Sequence, residues 1–308
     1  MNRSRRIVLL FAVIGLVAVT GRGMSLRAQP TEGTVVARFR DAEAVASDPK
    51  GRIYVADAGR DVISIFEPSE GEPLHEGAIG GPGTRVGEFD RPADVDPTNG
   101  LTVLVADAGN GRLQRFSEEG QFLEAIPVGP SLRSGAEQRF FEDGRDGSEI
   151  QGDGRPVAVA STSSNEIFVI DERDGVVVKF DAQRRFAGEI GTSYGRRGAL
   201  QTPVALATGR NRELYVADRA AEAVFVYDFF GTFLRRLQTP KVPSVSALEW
   251  VRDRLWIVCS DRIVVWNPAA GATQTRMVTL DEPLVDAVRE NSVVYLLTPT
   301  RLLRREGW

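Results

Sequence analysis

Residues 93–116 read ADVDPTNGLTVLVADAGNGRLQRF. A short apolar stretch meets Asp96-Pro97-Thr98-Asn99-Gly100, whose Asp, Pro, Asn and Gly set up a tight turn. A β-rich run, Thr102 to Ala106, follows and closes on Asp107. After the loop Ala108–Gly111 a further strand runs to Phe116. The same order recurs at residues 44–66 (AVASDPKGRIYVADAGRDVISIF), 157–180 (VAVASTSSNEIFVIDERDGVVVKF) and 204–227 (VALATGRNRELYVADRAAEAVFVY). Looser copies lie at 245–266 (VSALEWVRDRLWIVCSDRIVVW) and 285–303 (VDAVRENSVVYLLTPTRLL). The anchors Asp57, Asp107, Asp171, Asp218, Ser260 and Thr298 stand 50, 64, 47, 42 and 38 residues apart.

A strand repeat of this period predicts propeller blades. A fourth strand follows in several copies, at Leu74–Ile79, Phe122–Ile126, Phe186–Ile190 and Phe233–Leu237. A single blade leaves both faces apolar, so neighbours must stack and the ring must close to remove its bare edges. The last copy ends after three strands, while Thr34–Phe39 (TVVARF) precedes the first copy as an unassigned strand. The expectation is an all-β, six-bladed propeller over 31–308, with four antiparallel strands per blade and that N-terminal strand completing the last blade.

The segment Gly80 to Leu123 resembles an NHL repeat. It carries G-x-F-x-x-P at Gly87–Pro92, V-A-D-x-x-N-x-R at Val105–Arg112, and a final strand after F-x-x-x-G. Gly191 to Leu234 is similar but looser, and the last two copies match in strand pattern alone. The resemblance implies a six-bladed propeller and no single function, since the family includes RNA-binding, protein-binding and lyase members. Its amidating lyases hold zinc through several histidines, and its eliminative lyases need His and Glu. This chain has one histidine, His75, so neither pattern carries over.

The 308 residues are 42% hydrophobic, enough for a large core. Met1–Arg6 are basic and Ile7–Thr20 apolar, too short a run to span a bilayer, so residues 1–28 read as a signal peptide or an uncleaved anchor. A periplasmic or secreted location is expected. Any membrane contact is confined to that N-terminal segment. The formal charge is −4, and removing the leader deletes Arg3, Arg5, Arg6, Arg22 and Arg27 but no acid. That balance argues against nucleic acid. The single cysteine, Cys259, excludes an internal disulfide and a cysteine-based zinc site; its strand pattern suggests a core thiol. The residues indicate no cofactor, no metal and no catalytic group.

The repeated Asp57, Asp107, Asp171 and Asp218 lie too far apart around a ring to share one ion. They are expected to accept backbone N–H groups of the following loop. One loop-rich face carries Arg60, Arg85, Phe89, Arg91, Arg112, Arg173, Tyr194, Arg196, Arg197 and Arg219. Arginine interleaved with aromatics suits a face for an anionic or peptide ligand. Phe89 also reads as a packing residue and Arg112 as a brace between blades. The longest insertion, 129–155, joins blades two and three on that rim. Its Phe140 and Phe141 either pack over the central channel or belong to a mobile surface loop. The expected role is a monomeric, non-catalytic module binding a protein, peptide or glycan of the cell envelope. The alternative is a lyase or hydrolase acting on a carbohydrate or lactone at the channel mouth.

Overall fold

The computed structural model describes residues 33–67, 74–97, 100–133, 141–142, 150–192 and 197–307. The leader, Phe140, Tyr194 and Arg196 lie outside them. Strand β1 (Thr34–Arg38) precedes blade 1, which is β2 (Ala42–Ser47), β3 (Ile53–Asp57), β4 (Val62–Glu67) and β5 (Leu74–Gly80). Blade 2 is β6 (Pro92–Asp96), β7 (Thr102–Asp107), β8 (Arg112–Ser117) and β9 (Phe122–Pro127), followed by the single turn α1 (Pro130–Arg133) and the short β10 (Phe141–Glu142). Blade 3 is β11 (Pro156–Ser161), β12 (Ile167–Asp171), β13 (Val176–Phe180) and β14 (Phe186–Ile190). Blade 4 is β15 (Pro203–Gly209), β16 (Glu213–Asp218), β17 (Ala223–Asp228) and β18 (Phe233–Arg236). Blade 5 is β19 (Val245–Val251), β20 (Arg254–Cys259), β21 (Arg262–Asn267) and β22 (Ala272–Met277). Blade 6 is β23 (Asp286–Glu290), β24 (Val293–Leu297), β25 (Arg301–Glu306) and, outermost, β1.

The first strands of successive blades touch one another around the axis: β2, β6, β11, β15, β19, β23 and back to β2. Closure follows the expected route. β1 pairs antiparallel with β25, Thr34 opposite Arg304 and Arg38 opposite Arg301. The join continues where the Phe39 and Ala42 N–H groups donate to the Thr300 and Pro299 carbonyls at 2.8 Å.

The described residues form one apolar cluster at each of the six blade interfaces. Middle strands are buried on both faces, as in Ile53-Tyr54-Val55-Ala56 and Leu214-Tyr215-Val216-Ala217, so they read as continuous β-branched and aromatic runs. Cys259 is such a residue; it is fully buried, and burial pushes its thiol up to about 11. β22 has a different character: it is almost wholly exposed and polar, and no apolar alternation announces it.

The recurrent aspartates act mainly on the chain that enters each blade, not on the loop that follows. Asp107 accepts the Asp90 N–H at 2.9 Å, Asp171 the Arg155 N–H at 2.8 Å and Asp218 the Thr202 N–H at 3.0 Å. Asp57 does the same for Asp41 at 3.2 Å. Asp171 and Asp218 also bond the following loop, through Arg173 and Ala221. All four carboxyls are fully buried. Each pins an incoming connection to the end of the second strand, and satisfied acceptors there cost little to bury.

The connections also depend on glycine. Gly80 ends β5 at φ +90°, and a Cβ there would lie 2.2 Å from the ring of buried Phe89. Gly191 stands against Leu200 in the same way, 2.4 Å away at φ +89°. Gly80→Ala is expected to lower stability by about 1–3 kcal/mol through strain and overpacking, read as a shift of the urea midpoint.

Within the insertion the described residues include one short strand. β10 adds to β9 as a fifth strand, with Phe141 opposite Ala125 and Glu142 opposite Glu124, at the blade's outer edge. The backbone of Phe141 thus belongs to the outer edge of blade 2, while Phe140 lies outside the described residues.

Candidate functional site

Every inner strand of blades 1 to 5 begins with a bulge. Ala42 faces Asp57, yet Ala44 faces Ala56; the same skip occurs at Pro92/Asp94, Pro156/Ala158, Pro203/Ala205 and Val245/Ala247. The extra residue re-phases the strand, and the pairs that follow set residues of the six inner strands at matching levels of the ring. At the first such level stand Ala44, Asp94, Ala158, Ala205, Ala247 and Asp286. At the second stand Ala46, Asp96, Ala160, Ala207, Glu249 and Val288. Alanine suits six strands converging on one axis, and it leaves an axial cavity of about 280 Å³. Blades 2, 5 and 6 replace it with carboxylates.

Three of these four carboxylates tie blades together. Asp94 accepts the Val159 N–H of blade 3 at 2.7 Å, and Asp96 accepts that of Ser161. Asp286 accepts the Val45 N–H of blade 1 at 2.9 Å. Glu249 differs: among the described residues no donor bonds its carboxyl, and its surroundings are the charges of Asp286, Asp94 and Asp96. Glu249 and Asp94 are half-buried in the wall of the cavity. Burial, reinforced by the neighbouring carboxylates, pushes both well above the usual range. Burial also raises Asp286, to about 7, against the pull of its two backbone donors. Burial therefore favours the protonated form of all three.

A shallower cavity of about 240 Å³ opens above, lined by Glu43, Arg91, Arg155, Glu172 and Arg219. These side chains mix both signs, three arginines with two glutamates. Arg91 pairs with Asp41 at 3.3 Å and Glu43 at 3.6 Å, and Arg155 with Glu172 at 3.2 Å. Burial and Asp41 push the Glu43 carboxyl up, while Arg91 and Arg155 oppose them.

The arginines predicted from sequence divide into groups. Arg91 and Arg219 reach this mouth. Arg60 folds back on Asp57 and the Arg38 carbonyl, and Arg173 donates to the Asp153 carbonyl at 2.5 Å. Arg85 and Arg197 are exposed. Arg112 does not belong to the accessible face: it is fully buried. Its guanidinium donates to the carbonyls of Thr84, Arg85, Glu88 and Ile150 at 2.7–2.9 Å and pairs with Asp107 at 2.8 Å. Phe89 is likewise fully buried, at the blade 1–2 interface. His75 lies exposed in β5, the outermost strand of blade 1, edge-on to Phe66. The channel carboxylates were not among the predicted site residues. Aligning the inner strands by their bulges would have exposed them as departures from alanine.

No family model matches the chain, and neither does any curated protein. Solved structures do match. A streptogramin B lyase is similar with a TM-score of 0.59 at 12% identity, over 86% of this chain and 93% of that one. Virginiamycin B lyase from Staphylococcus aureus is similar with a TM-score of 0.60 at 9% identity, over 88% and 97%. A chain of a mitotic checkpoint complex is similar with a TM-score of 0.57 at 13% identity, over 98% and 99%. The likeness is one of fold. At these identities it assigns no activity.

Proposed function

We propose that this chain is an exported, NHL-type binding propeller that captures a protein or peptide segment at the channel mouth and accepts a basic side chain into the throat. The carrying observation is Glu249, a half-buried channel carboxyl without a hydrogen-bond donor among the described residues, in a ring where three blades keep alanine. The arginines above it are largely engaged with carboxylates, so the mouth presents ion pairs, and the throat presents clustered carboxyls that an entering cation would favour in their ionised form. An ammonium or guanidinium group complements such a throat. The repeat pattern of blade 2 supports the NHL reading, and the basic-then-apolar leader supports export.

The test is calorimetry on the full chain with two blocked pentapeptides, Gly-Gly-Lys-Gly-Gly and Gly-Gly-Glu-Gly-Gly. The lysine peptide is expected to bind at least about tenfold more tightly, a preference lost in Glu249→Gln. Equal binding of the two, or no effect of Glu249→Gln, would sink the proposal.

The raised carboxylates favour one second reading, a lyase using them as acid and base. Among the similar structures is a catalytically inactive histidine-to-alanine variant of virginiamycin B lyase with quinupristin. The single histidine here, His75, is on the outer rim, so binding is the preferred reading. Cleavage of quinupristin by the purified chain would reverse that preference.

A further inference from the structure

Blade 5 gathers arginines at its edge against blade 6, away from the channel. The β19–β20 hairpin turns on Arg252 and Asp253, both at positive φ, as a two-residue hairpin turn requires. This turn presents Arg252, and β20 begins at Arg254. Residues two apart along a strand share a face, so Arg254 lies on the same face as Trp256. Trp256, Val265 and Gln274 are successive cross-strand partners, and Arg276 lies two residues beyond Gln274. Arg289 comes from the facing strand of blade 6. Together these groups line a cleft of about 270 Å³, and no carboxylate lines it.

The cations are held together by the fold. Arg252 and Arg289 both donate to the Asn291 carbonyl, at 2.7 Å and 3.1 Å. Burial lowers the Arg289 guanidinium, and the charges of Arg252, Arg276 and Arg254 lower it further. The nearby acids have other partners: Asp253 pairs with Arg210, and Glu290 bonds Ser47 while also sensing Arg252. The like charges of Arg252, Arg254 and Arg289, brought together at one cleft, favour an anion there.

We infer that this cleft binds a phosphate monoester or its sulfate analogue. Arginine forks match tetrahedral oxyanions through paired N–H donors, and several converge here. Gln274 adds a neutral amide, and Trp256 gives the substituent an apolar wall. The cleft is small by the standard of ligand sites, enough for the anionic group and a short carrier. Neither the channel nor the proposed peptide contact is involved.

The test uses the full chain at low ionic strength. Inorganic phosphate and glycerol 3-phosphate are titrated calorimetrically, and vesicles of phosphatidylcholine with or without phosphatidic acid are assayed by flotation. Saturable binding of the soluble phosphates, weakened about tenfold or more in Arg254→Gln and in Arg276→Gln, supports a soluble ligand. Flotation only with phosphatidic acid, abolished in the same variants, supports the same chemistry on a lipid headgroup. Melting temperatures keep the test independent of folding. Without phosphate Arg254→Gln is expected to melt at or above the parent, and phosphate is expected to raise the parent alone. Binding unchanged by both substitutions, or no binding of any phosphate probe, overturns the inference.

Discussion

Arg112→Leu is expected to destabilise the propeller by about 3–5 kcal/mol, the usual cost of removing one partner of a buried ion pair. The side chain reaches two connections at once, at 84–88 and at 150. Leucine leaves four carbonyls without that donor in a site closed to water, and leaves Asp107 with its bonds to Asp90, Asn110 and Gln114 alone. Arg112→Lys is expected to recover little, because one ammonium cannot span the fan of acceptors that a guanidinium fills. Urea unfolding measures the loss, and hydrogen exchange at 84–88 and 150–154 locates it. A variant as stable as the parent would return Arg112 to the list of ligand contacts.

Glu249→Ala is expected to have the opposite sign. Burial raises the Glu249, Asp94 and Asp286 carboxyls in the folded chain, so the native state keeps protons that the unfolded chain has released. Where the native state binds more protons, stability falls as pH rises. The fall begins above the ordinary carboxylate range near pH 4, and the share that Asp286 contributes ends beyond about 7. Each such group contributes at most about 1.4 kcal/mol per pH unit across its window. Glu249→Ala restores the residue that three other blades carry at this level and removes one unbonded acid. It should melt higher than the parent at pH 8 and show a smaller gain at pH 5. Asp286→Ala should instead melt lower at both, because the Val45 and Ala287 N–H groups lose their acceptor. Calorimetric melting at the two pH values distinguishes these outcomes; a Glu249→Ala variant less stable than the parent at pH 8 would refute the account of the channel.

Much of the fold could be read from the chain because each blade repeats a strand, turn and Asp in fixed order. β22 escaped that reading because it packs on β21 with exposed, polar side chains, and an outer strand needs no apolar code. The arginine face was legible as composition but not as chemistry. Arg112 and Arg219 both follow an anchoring aspartate within five residues, yet one is buried and the other exposed, and only the packed loops around Arg112 decide this. The channel acids were hidden because their approach to one another depends on how six inner strands meet around the axis, which no single strand's pattern shows. The arginine cleft needs two blades, and residues 252 and 289 meet only after β23 docks beside β19.

The pairing of β1 with β25 also sets an order of events during synthesis. The first strand emerges early and has no partner until the last one has been made, some 260 positions later. Blades 1 to 5 can assemble as the chain appears, since each draws its strands from one continuous segment. Blade 6 cannot. Until β25 has been made the ring is an open arc with two bare edges, and it becomes a closed body only when that strand meets β1.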